Sequence, residues 1–444
     1  MSRSHLAKWL YVGLHVKRWL LIMLLGVVLM GLGIAYLLRE VYVSYAFPPW
    51  VATLTLQDIP RWARGLLFIT LASGLTLFGG WRLNRSMVAA ALPPDRRGNV
   101  VERIYQQRTR GRGPRIVAIG GGTGLSQLLR GLKPYPANLT AIVTVADDGG
   151  SSGLLREDLG VIPPGDIRAC IVALADAEPL VTDLFQHRFD KDAGERIAGH
   201  SFGNLFIAAM SDVTGSMEEA IRETSRVLAV RGRILPSTLA DVRLRAHLSD
   251  GSVVEGESRI PESGIAVDSV EILPPDAPAY PEAVEALAEA DLIVLGPGSL
   301  FTSVLPNLLV PGIREALRAS SAHTIYVANV ATQNGETDGF SAADHYGAIR
   351  RHLGQADVAD VVLANSNLPG EPLPDTWHSE AVSVNGNADF GGARLELADL
   401  VDYDHRYRHD AERLAAAVLR SYMERDLRRE PRLRATVAAP GSPA

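Results

Sequence analysis

The sequence predicts an α/β protein: a Rossmann-like parallel sheet with an inserted β-hairpin, preceded by two transmembrane helices. Three observations predict it. Short apolar, β-branched runs alternate with helical patterns from Arg115 onward and end in Gly, Asp, Asn, Ser or Thr. The pattern changes to strict alternation between Ala240 and Ser258, and the start of the chain holds two long apolar stretches. Strands separated by helical patterns make βαβ units, and βαβ units make a parallel sheet.

The chain has 444 residues, a formal net charge of -6 and 21% charged residues. That length suits one large domain with accessory parts, and the lack of a basic excess argues against a nucleic-acid partner. The single cysteine, Cys170, cannot close an internal disulfide, which fits a reducing compartment. No redox or metal-ligand spacing accompanies it, so it reads as a small buried side chain.

In chain order, residues 19–38 run uncharged for about twenty residues, enough to cross a hydrocarbon core as a helix, and residues 65–81 form a shorter second candidate. Arg3, Lys8, Lys17 and Arg18 precede the pair, and Arg82, Arg85, Arg96 and Arg97 follow it. The positive-inside rule then gives residues 1–90 as a two-pass hairpin in an inner or plasma membrane, with the soluble domain in the cytoplasm. Residues 91–114, with Pro93-Pro94 and Arg103, Arg108, Arg110 and Arg112, form a basic linker. It either lies against anionic headgroups or is a solvated tether. A globular domain spans 115–425, and the tail at 426–444 is expected to be disordered.

Within the domain, 115–119 and 139–145 read as the first two strands, with a helix over 125–132 between them. Helical patterns follow at 167–175, 203–213 and 217–228, the last with Ser216 as its N-cap. Alternation centred on Asp250-Gly251 signals the hairpin. Strands return at 291–295, 324–327 and 360–364. All five strands of the main pattern finish in small or polar residues, which gathers those groups at the carboxyl edge of the sheet, where open α/β sheets bind ligands.

Those strand ends carry the chemistry. RIVAIGGGTG (115–124) ends a strand in glycines and begins a helix, which offers bare backbone N–H groups to a phosphate, and DDGGSSG (147–153) repeats the design one strand later. Gly121, Gly122, Thr123 and Gly124 are the phosphate-loop candidates, joined by Ser151 and Ser152, while Gly298, Ser299 and Thr302 approach from a facing strand end. Asp147 and Asp148 either hold Mg²⁺ through oxygen ligands or contact a ribose hydroxyl. Asp166 sits beside them in PPGDIR. Arg168 and Arg408 are cations suited to a diphosphate. Asn204, Asn307, Asn329 and Gln333 offer neutral amides that can read a sugar or base edge. Each loop also has a plain structural reading as a tight turn or helix cap, but a shared site explains why all recur at one edge. The runner-up is a dinucleotide-binding domain with Asp147 in the ribose role, but Leu125 stands where the fingerprint's third glycine belongs, and that reading leaves Asp148, the SSG loop and PPGDIR without a task. His187, His200 and His409 assemble no nucleophile–base pair by spacing, so no catalytic residue is named.

The stretches GGGTGLSQLLRGL, TAIVTVADDGGSSGLLREDLGVIPPGDIRACIVALAD, GHSFGNL, RVLAVRGRILPST, GPGSLFTSVLPNLLVPGI and NVATQNGETDGF resemble the YvcK/CofD-like family, and specifically its gluconeogenesis-factor branch. The resemblance covers about residues 115–421. It implies a modified Rossmann-like fold that binds a nucleotide-sugar such as UDP-GlcNAc and regulates cell shape and peptidoglycan synthesis, with cell-wall synthesis proteins as partners and a homo-oligomer as one form. The alternative it implies is the transferase branch, a 2-phospho-L-lactate transferase using a GDP-linked donor and Mg²⁺. GGSS and PPGDIR after Asp147-Asp148 resemble the regulatory branch instead.

Overall fold

Strand β1 (Arg115–Gly120) pairs in parallel with two strands at once, and these neighbours fix the site. In the computed structural model of the chain, the described residues are 16–44, 48, 50, 56, 59–91 and 113–437, apart from 136–137, 177–178, 191, 193, 195–196, 368–378 and 406. The chain divides into two compact units, Met1–Arg108 and Thr109–Ala444.

The first unit contains helices α1 (Val16–Ser44) and α2 (Arg61–Ala91). The two expected transmembrane spans are not supported: among the described residues, no helix is long and apolar enough to cross a membrane. Side chains of 16–24, the start of the first expected span, lie outside the described ones. The second expected span, 65–81, extends only about 26 Å as a helix against a hydrocarbon core of about 30 Å. Both helices nevertheless expose large apolar side chains, among them Leu29, Met30 and Leu37 on α1 and Leu66, Ile69 and Phe78 on α2. Most of the expected linker, 92–112, lies outside the described residues.

In the second unit, β1 leads into α3 (Gly122–Leu132), β2 (Asn138–Val143), α4 (Gly150–Leu159), α5 (Gly165–Leu174), α6 (Pro179–Gln186), α7 (Phe202–Thr214), α8 (Met217–Val227) and β3 (Arg233–Pro236). An inserted antiparallel sheet follows, with β4 (Arg243–Leu248), β5 (Val253–Glu255) and β6 (Val267–Leu273). The chain then returns through α9 (Pro281–Ala288), β7 (Leu292–Leu295), a turn of π-helix at Leu300–Val304, α10 (Leu305–Leu309), α11 (Pro311–Ala319) and β8 (His323–Val327). Helix α12 (Ala342–His352), β9 (Val361–Asn365), β10 (Arg394–Ala398) and α13 (Ala411–Val437) complete it.

The main sheet has seven parallel strands in the order β10-β9-β8-β7-β1-β2-β3. Two of them, β3 and β10, are absent from the sequence reading. The inserted element is a three-stranded sheet in the order β5-β4-β6 rather than a hairpin. It is tied to the main body where the Val270 amide donates to Nε2 of His352 on α12 at 2.9 Å. The last helix continues to Val437, through much of the segment expected to be an irregular tail, and 438–444 lie outside the described residues.

The core follows from strands buried on both faces. Ile116, Val117 and Ile119 on β1 and Leu292 to Leu295 on β7 are all buried. Against them packs the α3 stripe Leu125, Leu128, Leu129 and Leu132, spaced for one helical face. Each such side chain contributes roughly 1.5–3 kcal/mol of burial. Cys170 is buried in this core, and burial pushes its thiol well above the ordinary range, so it is inert. Ser216 caps α8 as expected, its side chain accepting from the Glu219 amide at 3.1 Å.

Strand order places the site. From β1 the chain moves through β2 to β3 on one side, then crosses back to β7 on the other side of β1 and continues outward through β8, β9 and β10. The loops leaving β1 and β7 diverge at this reversal, which opens a crevice at their carboxyl ends.

Candidate functional site

The β1–α3 turn is built for close approach. Gly120 ends β1, Gly121 is extended (φ -167), and Gly122 enters α3 with φ 61. A Cβ on Gly121 would stand 2.2 Å from Oδ2 of Asp166, and one on Gly124 would stand 2.5 Å from the Pro297 carbonyl oxygen. Gly121, the N-cap of α3, has no side chain to cap it, and the Asp166 carboxylate engages the Gly122 amide. The other first-turn N–H groups combine free donors with the positive end of the helix dipole.

The facing wall is the loop after β7. Asn329, just beyond β8, clamps it with two hydrogen bonds: its Nδ2 donates to the Gly298 carbonyl at 2.9 Å, and the Gly298 amide donates to its Oδ1 at 3.2 Å. Gln333 Nε2 donates to Ser299 Oγ. Below, Thr302 Oγ1 donates to Oε1 of the buried Glu336 at 3.2 Å. Burial pushes Glu336 up to about 7.

These walls enclose a cavity of about 670 Å³ at the β1/β7 reversal, a size typical of small-ligand sites. Gly121, Gly122, Thr123 and Gly124 line it with Gly298, Ser299, Thr302, Asn329 and Gln333, and Asp147, Asp166 and Arg408 also reach it. One side is acidic. Burial raises Asp147; burial, then the charge of Asp147, raises Asp166 to about 7; and burial with the same neighbour raises Glu257 to about 8. Arg408 is the one Lys or Arg among the described lining residues. Past β8, two places from β1 in the sheet, the lining continues with Val330, Ala331 and Thr332, joined by Tyr407 and His409. Burial lowers the His409 imidazole to about 4, so it is neutral near pH 7.

A family model described as 2-phospho-L-lactate transferase CofD matches residues 116–400. The chain belongs to the CofD family. A Nostoc protein is 46% identical over 434 residues, covering 94% of this chain and 92% of its own length. A Bacillus subtilis relative named gluconeogenesis factor is 53% identical over 265 residues, covering 60% of this chain and 81% of its own. A crystal structure of a Bacillus halodurans protein superposes with a TM-score of 0.65 at 46% identity, covering 69% of this chain and 99% of that one. The similarity thus runs to the gluconeogenesis-factor members of the CofD family.

Six of the residues singled out in the sequence for their chemistry stand behind the cavity wall. Asp148 turns away from Asp147 and accepts the amides of Glu257 at 3.1 Å and Ser258 at 2.9 Å, holding the inserted module against the site. The proposed Asp147–Asp148 metal pair is therefore split, and among the described residues no group of three or more His, Cys, Asp or Glu is placed to hold an ion. Asn204 Nδ2 donates to Ser151 Oγ at 3.1 Å and weakly to Ser152 Oγ at 3.5 Å, while its Oδ1 accepts from Arg168 Nε at 2.8 Å. Ser151 in turn meets Nδ1 of His200 at 3.0 Å. This network braces the DDGGSSG loop from beneath. Asn307 is fully buried, its Nδ2 donating to the Gly120 and Ser303 carbonyls at 3.1 and 2.8 Å, so it staples β1 to the π-turn.

Conversely, the cavity of this CofD-family chain recruits Gln127, Thr144, Glu257, Thr332, Tyr407 and His409, none of which the motif reading placed there. Gln127 lies one helical turn beyond Thr123, on the same face, and Tyr407 and His409 flank Arg408 in sequence, so a signal existed for these three. Glu257 had none, because it comes from the inserted module.

Proposed function

We propose that this chain binds a UDP-sugar at the β1/β7 crevice and acts as a regulatory binder that reports precursor supply to cell-wall synthesis and cell shape. The observation that carries the reading is the polarity of one continuous cavity. First-turn helix N–H groups and close-packed glycines at Gly121–Gly124 suit a diphosphate, while Val330 and Ala331, past β8 and two strands from β1, suit a base together with Tyr407. The gluconeogenesis-factor name of the relatives supports the regulatory side. The expected Mg²⁺ pair does not fit, because both carboxylate oxygens of Asp148 already accept backbone amides, and no step of this reading passes through a metal.

Calorimetric titration of the full chain with UDP-N-acetylglucosamine and with GDP is the test. Saturable UDP-sugar binding without turnover supports the reading. GDP binding with Mg²⁺-dependent group transfer overturns it in favour of the transferase.

The same proposal extends to location. The apolar side chains exposed on α1 and α2 attach the first unit to a lipid surface, since exposed apolar area of this kind marks an interaction face. Flotation of the full chain with anionic liposomes is expected, and a chain that stays wholly at the bottom of the gradient refutes the attachment.

A further inference from the structure

The β8 side of the cavity holds a hydrogen-bond acceptor with no partner among the described residues. His409 pairs with Val401 in an isolated antiparallel bridge and is buried, with its Nε2 at 3.2 Å from the Ala328 carbonyl oxygen just past β8. A carbonyl only accepts, so Nε2 carries the proton and Nδ1 of the neutral ring carries a lone pair. Nδ1 makes no hydrogen bond among the described residues, and it is not among the buried polar atoms sealed off from solvent. His409 is among the residues that line the cavity.

A neutral acceptor repels phosphate oxygens, so the ligand group that meets it must be a donor. Strand β8 lies two places from β1 in the sheet, about 10 Å from the phosphate loop at ordinary strand spacing. That is the stretch a ribose bridges between a diphosphate and its base. Val330, Ala331 and Tyr407 beside His409 offer apolar surface to a flat ring. Oxo-bases such as uracil and guanine carry a ring imino N–H, whereas cytosine and adenine present a lone pair at the equivalent atom. The amides expected to read the base are otherwise engaged: Asn329 holds Gly298, Gln333 holds Ser299, and Asn204 and Asn307 stand outside the cavity.

We infer that Nδ1 of His409 accepts a hydrogen bond from the imino N–H of an oxo-base, uracil in a UDP-sugar, and thereby selects that base over cytosine. This rests on the nucleotide reading above and names the residue that sets its base preference.

The test is calorimetric titration of the full chain with UDP, 3-methyl-UDP and 2′-deoxy-UDP. The expected result is binding of UDP and 2′-deoxy-UDP at similar affinity, with 3-methyl-UDP weaker by about fivefold to tenfold, the worth of one net hydrogen bond. In His409→Ala the gap between UDP and 3-methyl-UDP should close; a gap that persists there is steric and overturns the inference. If that variant fails to fold, the ¹⁵N resonance of His409 Nδ1 in the unmodified chain decides, moving on addition of UDP and staying on addition of 3-methyl-UDP. Loss confined to 2′-deoxy-UDP assigns the contact to the sugar and overturns the base assignment while leaving nucleotide binding intact. No binding of UDP at all overturns the nucleotide reading itself.

Discussion

Gly124→Ala is expected to weaken UDP-N-acetylglucosamine binding by about a hundredfold or more and to lower thermal stability modestly. The added methyl would lie 2.5 Å from the Pro297 carbonyl oxygen and 2.9 Å from the Gly298 Cα. These are backbone atoms that no rotamer change can move, and the double clamp from Asn329 holds that loop in place. The β1 and β7 turns must therefore separate, which tilts the first turn of α3 away from the phosphate position. Losing two charge-assisted N–H contacts of about 1.5–3 kcal/mol each accounts for the affinity, and overpacking of about 1–3 kcal/mol accounts for the stability. Gly386→Ala is the control, since nothing lies within 4 Å of its Cβ position. Titration and thermal melts of both variants check the prediction; wild-type affinity in Gly124→Ala would show that this turn is not the phosphate cradle.

Legibility of the fold tracked the strength of local pattern. Strands β1, β2, β7, β8 and β9 are continuous apolar runs ending in turn residues, and each was readable. The missed β3 is only four residues long and ends in a proline. Its β identity comes from pairing with β2 through Thr140–Val143 rather than from its own alternation. The missed β10 is an edge strand with charged Arg394 and Glu396, a composition that protects an edge and disguises a strand. Strand β6 lies beyond a helical turn at Arg259–Glu262, so a two-strand hairpin was the natural reading of the local turn signal.

The site divides in the same physical way. Backbone-driven features were visible, because glycine clusters after a strand declare a turn wherever the chain goes. Side-chain direction was not visible. Asp147 and Asp148 are adjacent in sequence and look equivalent, yet only Asp147 faces the cavity, because amides of the inserted module claim Asp148. Asn204 and Asn307 have the right chemistry to read a ligand, but each is consumed by stitching two segments together. A buried amide must be satisfied, and which partner satisfies it is a tertiary fact.

The acidic wall makes a second strong prediction: between pH 6.5 and 8 the ligand-free protein should lose about 3 kcal/mol of stability, with thermal melts falling steadily across that range. Asp166, Glu336 and Glu257 are pushed up to about 7, 7 and 8 from ordinary values of 3.8, 4.5 and 4.5, chiefly by burial. A carboxyl whose folded pKa exceeds its unfolded value binds its proton more tightly when folded. Its contribution is fully present below the unfolded pKa and is lost as pH rises through the folded one. His409 runs the other way, lowered from 6.5 to about 4 by burial, so its contribution is lost only as pH falls below about 6.5. The window from 6.5 to 8 therefore isolates the carboxyls. Asp166→Asn with Glu257→Gln should flatten most of the slope there, Glu336 supplying what remains. The two acids also oppose an anionic guest beside them, so UDP-N-acetylglucosamine affinity in the unmodified chain should fall over the same interval and level in the double variant. A wild-type melting profile that is flat from 6.5 to 8 would mean these carboxyls are solvated and ionised, and that the acidic side of the cavity is wet.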